Sequence, residues 1–274
     1  MERKKILRFR STILNIINLT SSVKHFTFSV PEEFDFYPGQ FISLILNKDS
    51  REIRRPYSIA SQPSKKSIDL CIKIVENGLA SPIINSLKIG DELTVLGPMG
   101  DFILKDISKS LIFISTGTGI GPFRSIINYL LEKNFKNKIT LLTGYRIEEE
   151  ILYESEFKNL EKLFMNFFYH RILSRSEKEE NGYVQKLVEK NMSLDSHYYI
   201  CGLKEMVNSV KDLLLGKGIP KENIFLVGIR NSYKTEIDFL KKNKIKVMNM
   251  NALLENLEDS CDTLGATFQG VPSG

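Results

Sequence analysis

The chain has very little cysteine. Cys71, Cys201 and Cys261 are all it carries in 274 residues, and they lie far apart. Such spacing gives neither a disulfide framework nor a zinc motif. An iron–sulfur cluster, which needs about four closely spaced thiolates, has no ligand set here. No apolar run approaches the length of roughly eighteen residues that a membrane-spanning helix needs. Residues 13–18, after the basic N-terminus, are broken by asparagines and lack a small-residue cleavage site. No signal peptide is expected, and a reducing, cytoplasmic setting fits best. Histidines and acids form no hydrolytic constellation: His25, His170 and His197 are scattered and are expected to be structural. No basic helix or aromatic RNA-binding signature accompanies the net charge of +5. The cations are dispersed, as suits an acidic protein partner or a mildly basic surface with no partner.

What is present is an ordinary globular composition, 42% hydrophobic and 26% charged, in a chain long enough for two domains with their own cores. Residues 1–106 read as β structure. Residues 23–30 alternate, with Phe26, Phe28 and Val30 on one face. Tyr37-Pro38-Gly39-Gln40 is a turn, with proline presetting one central torsion and glycine accepting the positive one. Strands are expected over 41–46, 55–58, 68–75 and 93–96, and the 68–75 alternation turns Ile68, Leu70, Ile72 and Ile74 inward. About six strands with turn signals between them predict a small closed antiparallel barrel. One helical stretch interrupts them, with Ser81 as N-cap and Pro82 at the first helical position. It is either a connecting helix or an anchor for a pyrophosphate.

From residue 107 to 228 the pattern becomes alternating strand and helix. Strands are expected at 111–114, 138–143, 166–173, 197–201 and 223–227, with helices at 123–132, 154–164, 184–190 and 204–215. That order predicts a parallel sheet covered on both faces. The first strand runs into Ser115-Thr116-Gly117-Thr118-Gly119-Ile120-Gly121-Pro122 and then a helix, the usual cradle for a pyrophosphate, although the spacing is not the G-x-G-x-x-G fingerprint. Residues 116–121, 144–146, 174–175 and 201–202 all fall at strand carboxyl ends, where such sheets bind ligands. Residues 229–274 stand apart. Helices are conceivable at 234–242 and 252–259, the end is glycine-rich, and no function is assigned to this tail.

The barrel half contains Arg54-Arg55-Pro56-Tyr57-Ser58. In a strand held extended by proline, Arg55 and Tyr57 project to one side and Ser58 to the other. A guanidinium for phosphate, a phenol to lie on a flat ring and a hydroxyl for its reactive edge form a set that suits a flavin nucleotide.

The ordered motifs Tyr37-Pro-Gly-Gln40, Arg55-Pro-Tyr-Ser58, Gly78-Leu-Ala-Ser81, Gly97-Pro-Met-Gly100, Gly117-Thr-Gly-Ile-Gly-Pro122, Gly144-Tyr-Arg146 and Tyr199-Ile-Cys-Gly202 make residues 10–228 resemble the ferredoxin–NADP reductase superfamily. The resemblance implies a Greek-key FAD-binding barrel followed by a Rossmann-like NAD(P)-binding domain, with the flavin between them. Arg55 would then hold the flavin phosphates, Pro56 would fix the strand, and Tyr57 would stack on the ring. Ser58 would bond the N5 edge. Cys71, Ile72, Lys73, Gly78, Leu79, Ala80 and Ser81 would line the rest of the FAD site. Thr116, Gly117, Thr118, Gly119, Gly121 and Pro122 would meet the nicotinamide and pyrophosphate. Arg146, Gly202 and Met206 would complete that site, and Cys201 would pack beside the nicotinamide. Tyr57, Ser58 and Cys201 are thus the candidates at the reacting centre. Ser174-Arg175 follows the third α/β strand, where an arginine can pair with a 2′-phosphate, so NADP(H) is expected over NAD(H). The family's simplest members end with an aromatic residue over the flavin, whereas here the chain continues into a tail, with Tyr233 a candidate shield by position; the glutamate often found near that point has no clear match. The expected activity is passage of electrons between NADPH and a one-electron carrier, ferredoxin or flavodoxin, with an acidic carrier as partner. The alternatives are a reductase component of an oxygenase or similar chain, and a non-enzymatic flavin-binding sensor.

Overall fold

A computed structural model describes residues 2–48, 51–63, 66–75, 80–176 and 181–227. Gly78, Leu79, Tyr233, Cys261 and the conceivable helices of the tail lie outside the described residues.

Six strands build the first sheet: β1 (Leu7–Asn18), β2 (Val23–Ser29), β3 (Phe41–Lys48), β4 (Arg51–Ser58), β5 (Ser67–Lys73) and β6 (Glu92–Met99). Their order is β4-β3-β6-β1-β2-β5, with every pairing antiparallel. This is the Greek-key barrel that the sequence predicts. β1 is not among the expected strands, because its charged first half and its asparagines hide the pattern; in the fold Ser11 and Ile13 are buried and the residues between and around them are not. Phe26, Phe28, Ile42, Leu44, Leu70 and Ile72 meet in the barrel core.

The edge strands β4 and β5 touch through a bridge between Ile59 and Leu70, reinforced where the Ala60 N–H donates to the Asp69 carbonyl at 2.7 Å. The short helix α1 (Ser81–Ser86) follows β5. Here the expectation fails in detail: Ser81 is inside the helix rather than its cap, and its hydroxyl accepts the Val75 N–H at 2.9 Å. Tying down the preceding strand satisfies that buried hydroxyl as well as a helix amide would.

The second sheet is parallel: β7 (Ser110–Thr116), β8 (Ile139–Tyr145), β9 (Phe167–Leu173), β10 (Ser196–Cys201) and β11 (Ile224–Leu226), in the order β11-β10-β7-β8-β9. α2 (Gly121–Glu132), α3 (Glu154–Leu163), α4 (Val184–Asn191) and α5 (Lys204–Gly216) cover it. Successive residues of β7 face opposite sides. Leu111 and Phe113 enter the layer with Phe123, Ile127 and Phe157 of α2 and α3. Ile112 and Ile114 enter the layer with Val188 and Val210 of α4 and α5. The chain moves outward from β7 through β8 to β9 and then returns to β7's other side with β10, so the direction of winding reverses between β7 and β10. In open α/β sheets this switch point, at the strand carboxyl ends, is where ligands bind.

The two halves share packing. Val23, Ala60, Cys71 and Leu104 belong to the same buried cluster as the α2 and α3 side of the parallel sheet.

Candidate functional site

On the barrel side, register fixes the faces. Arg55 lies opposite Leu44 and Tyr57 opposite Ile42, so both share the face of the barrel core, while Ser58 lies opposite Phe41 on the other face. Arg55 is 2% exposed, and its Nη1 donates to the Arg54 carbonyl at 3.0 Å. A guanidinium so deeply sunk on the core face of an edge strand is a costly feature for a surface role. Tyr57 is half-buried on the rim of the core. Ile72 points into the barrel core, whereas Cys71 on the same strand points to the parallel sheet. Lys73 is half-buried, and Ala80 and Ser81 are buried.

On the sheet side, backbone rather than side chains shapes the site. β7 ends at Thr116, a tight 3-10 turn spans Gly117–Ile120, and α2 begins at Gly121 with Pro122 in its first turn. The helix thus starts two residues before the expected Phe123. A Cβ on Gly119 would stand 2.4 Å from the Cys201 carbonyl oxygen, and one on Gly202 would stand 2.4 Å from Thr116 Oγ1 and 2.7 Å from Met206 Cε. These glycines let the ends of β7 and β10 close at the switch point. Gly117 is different: its φ is +52° and nothing lies within 4 Å of its missing Cβ, leaving open space against bare backbone. Thr118 beside it is half-buried.

The two sides meet at Gly121. Its missing Cβ would stand 3.8 Å from Ala60 Cβ, 3.9 Å from the Ser58 carbonyl oxygen and 4.0 Å from Cys71 Cβ. Gly121 therefore abuts the Ser58 and Cys71 segments of the barrel, while Gly119, two residues before it, abuts Cys201. Cys201 is buried, and burial pushes its thiol up to about 12, so it stands there neutral. Burial likewise pushes Cys71 up to about 12, against smaller opposing effects of the Tyr153 hydroxyl and Arg124.

At the outer end of the dinucleotide side, the Ser174 N–H donates to the Tyr145 carbonyl and the Arg175 N–H to the Arg146 carbonyl, both at 2.9 Å. This brings the two exposed arginines Arg146 and Arg175 onto neighbouring strand ends. Arg146 is held by Glu150, through Nε at 3.0 Å and a second contact from Nη2.

A polar cluster that the scattered sequence positions do not reveal sits at the junction. Arg124 of α2 donates through Nε to both Glu156 oxygens, at 3.0 and 2.9 Å. Its Nη1 donates to the Ala60 carbonyl and to Asp69 Oδ2, each at 3.0 Å. Its guanidinium stands 4.8 Å over the Tyr153 ring. The Tyr153 hydroxyl is 3.0 Å from His25 Nδ1, and the Thr27 hydroxyl donates to Asp69 Oδ1 at 2.9 Å. Burial raises the Asp69 carboxyl, but His25, Thr27 and Arg124 together outweigh it and bring the group down to about 2. His25 is thus part of the junction, while His197 bonds the Asp106 carbonyl at 3.2 Å, away from the crevice. The only hint of this cluster in the sequence is Arg124 directly after the Gly-Pro-Phe that opens α2.

A barrel with a sunken cation on the core face of β4, beside a parallel sheet with open backbone at its switch point, suits a flavin nucleotide held against a nicotinamide dinucleotide. The donor set fits both: a buried guanidinium and a phenol on one side, glycine backbone and a helix start on the other. Comparison agrees. Residues 11–103 match the oxidoreductase FAD-binding domain and residues 113–212 the oxidoreductase NAD-binding domain. Ferredoxin–NADP reductase B of Sorangium cellulosum is 31% identical over 232 residues, 79% of this chain and 95% of that protein. The Na(+)-translocating NADH-quinone reductase of Neisseria meningitidis contains a polypeptide that is 32% identical over 228 residues, 75% of this chain but 56% of that polypeptide; the chain spans about half the length of such relatives. The structure of a ferredoxin NADP+ reductase from Neisseria gonorrhoeae with bound FAD and NADP superposes with a TM-score of 0.72 at 21% identity, covering 82% of this chain and 98% of that one. The chain belongs to the ferredoxin–NADP reductase superfamily and is an FAD- and NAD(P)-binding oxidoreductase.

Proposed function

We propose that the protein passes electrons from NADPH to a one-electron carrier, ferredoxin or flavodoxin. The observation that carries the reading is the close approach of Gly121 to the Ser58 and Cys71 segments and of Gly119 to Cys201, which supports placing the two nucleotide sites side by side. FAD, when bound, would supply the chemistry that links a two-electron nicotinamide donor to a one-electron carrier. In this reading residues 1–106 hold the flavin, residues 107–228 hold the dinucleotide, and residues 229–274 are an extension. Arg55 neutralises the flavin phosphates from the core face of β4, Tyr57 lies against the ring, and the Ser58 hydroxyl bonds its N5 edge. Ala80, Ser81 and the outward backbone of Cys71, Ile72 and Lys73 border the remainder, with Gly78 and Leu79 assigned there from sequence. Thr116, Gly117, Thr118 and Gly119 offer backbone donors to the pyrophosphate, and Gly121 and Pro122 leave room for the nicotinamide. The neutral Cys201 thiol packs at the point of transfer and helps keep water out, supported by Gly202 and Met206. Arg175 and Arg146, with Ser174, meet the 2′-phosphate, which must compete with Glu150 for Arg146.

The carrier is inferred from the ferredoxin–NADP reductase relative that the chain spans almost completely, and an acidic carrier complements the chain's charge of +5. No helix among the described residues is long and apolar enough to cross a membrane; a cytoplasmic location is part of the proposal. A second reading, an NADH-using reductase component of a larger electron-transfer assembly, is favoured by the identity to the quinone reductase polypeptides.

The test compares NADPH with NADH as reductant of the purified yellow protein, first with ferricyanide and then with a ferredoxin. NADPH is expected to be preferred, and Arg175→Ala is expected to narrow the preference by about tenfold, the equivalent of one charge-assisted hydrogen bond. Equal turnover with both dinucleotides, untouched by that substitution, would remove the NADPH part. Dye reduction without ferredoxin reduction would favour the second reading.

A further inference from the structure

We propose that Arg124 is a positioning residue for hydride transfer, locking the start of α2 against the barrel and so setting the distance between the two nucleotide sites. The proposal rests on the chain's being an FAD- and NAD(P)-binding oxidoreductase, and it concerns a residue that contacts neither expected ligand.

Hydride transfer moves a hydrogen with its electron pair from nicotinamide C4 to flavin N5, breaking one bond as the other forms. It needs the two atoms close and aligned, and a misplacement of about 1 Å can cost on the order of a hundredfold. Here the two ligand sites sit on separate sheets, and domain interfaces within a chain permit relative motion unless something fixes them. The apolar part of the interface resists separation but is not directional. Arg124 supplies direction. It lies one helical turn after Gly121, the residue whose missing Cβ faces Ser58 and Cys71 at 3.9 and 4.0 Å. One nitrogen grips the barrel twice, at the Ala60 carbonyl and Asp69 Oδ2. Another grips Glu156 of α3 with both carboxylate oxygens. Ala60 follows Ser58 by two residues, and Asp69 precedes Cys71 by two, so the grip lands on the same two segments that approach Gly121. Asn128, one turn further on, donates to Glu156 at 2.9 Å and ties that acid back to α2. A planar fork can hold several acceptors at fixed angles; lysine cannot.

The experiment uses the purified full chain with Arg124→Ala, Arg124→Lys and Asp69→Asn, and has two arms. In stopped flow at saturating NADPH, Arg124→Ala is expected to slow flavin bleaching by about 10- to 100-fold while the flavin spectrum and the dinucleotide dissociation constant stay within about twofold. Arg124→Lys should recover part of the rate, and Asp69→Asn should reproduce part of the loss. In hydrogen exchange, which requires no turnover, the Ala60 amide and the amides of 117–121 should lose protection together in Arg124→Ala. If Arg124→Ala weakens dinucleotide binding but leaves the saturated bleaching rate alone, the residue is a ligand contact and the proposal is overturned. Unchanged bleaching and unchanged exchange overturn it too. If the alanine variant does not fold, the lysine and Asp69→Asn variants decide by the same two measurements. A wild-type chain that takes no electrons from NADPH would refute the functional reading, and with it the proposal's chemical role, while the exchange arm would still decide whether Arg124 fixes the junction.

Discussion

The two sides of the crevice solve similar recognition problems with different parts of the chain. The barrel side presents side chains: Arg55 and Tyr57 on one face of a strand and Ser58 on the other. The sheet side presents backbone: glycines at 117, 119, 121 and 202, with the strand ends closed on each other where side chains are missing. A strand offers a side chain on each face every second residue, so it can carry a varied set of groups in a short run. A strand-to-helix turn offers amide groups, but only if nothing stands in front of them. The barrel side should therefore be sensitive to what is removed, and the sheet side to what is added.

The largest effect is expected for Gly119→Ala. The added methyl meets the Cys201 carbonyl oxygen at 2.4 Å, its carbon at 2.8 Å and Gly202 Cα at 2.9 Å, all backbone. Relief requires parting β7 from β10, and the cost should be about 3 kcal/mol, the upper range for overpacking. Urea unfolding would measure it, with dinucleotide affinity falling while the FAD spectrum is retained. Next is Arg55→Ala, which should leave the parallel sheet intact and weaken FAD by about 2–3 kcal/mol, the worth of a hydrogen bond to a charged group. Flavin content after purification would show it; full retention of FAD would break the contrast drawn between the two sides. The smallest is Gly117→Ala. Its Cβ meets nothing within 4 Å, and only the positive φ of +52° is costly, so stability should fall by about 1 kcal/mol. A loss as large as that of Gly119→Ala would mean that crowding does not distinguish these two turn positions.

Much of this was legible in the sequence because local pattern and tertiary role coincide. The run at 68–75 alternates because one face enters the barrel core, and the glycine turn after β7 is readable because Gly119 has no room for a side chain and Gly117 takes a positive φ. Legibility failed where the decisive partner is remote. β1 mixes its apolar residues with arginines and asparagines and owes its place to β2 and β6 on either side of it. Ser81 reads as a cap by local grammar, yet the Val75 amide competes for its hydroxyl and wins. His25, Asp69, Arg124, Tyr153 and Glu156 are spread widely along the chain, each unremarked in its own segment. Only the docking of the two halves assembles them.

α2 has a double allegiance: its first turn opens from the glycine cradle of one ligand, and its second turn is fastened to the barrel that holds the other. An element shared in this way is a physical route by which the two occupancies would be coupled. Whatever factor the dinucleotide adds to flavin retention, the flavin must add to dinucleotide retention, because the same free energy closes the cycle in either direction.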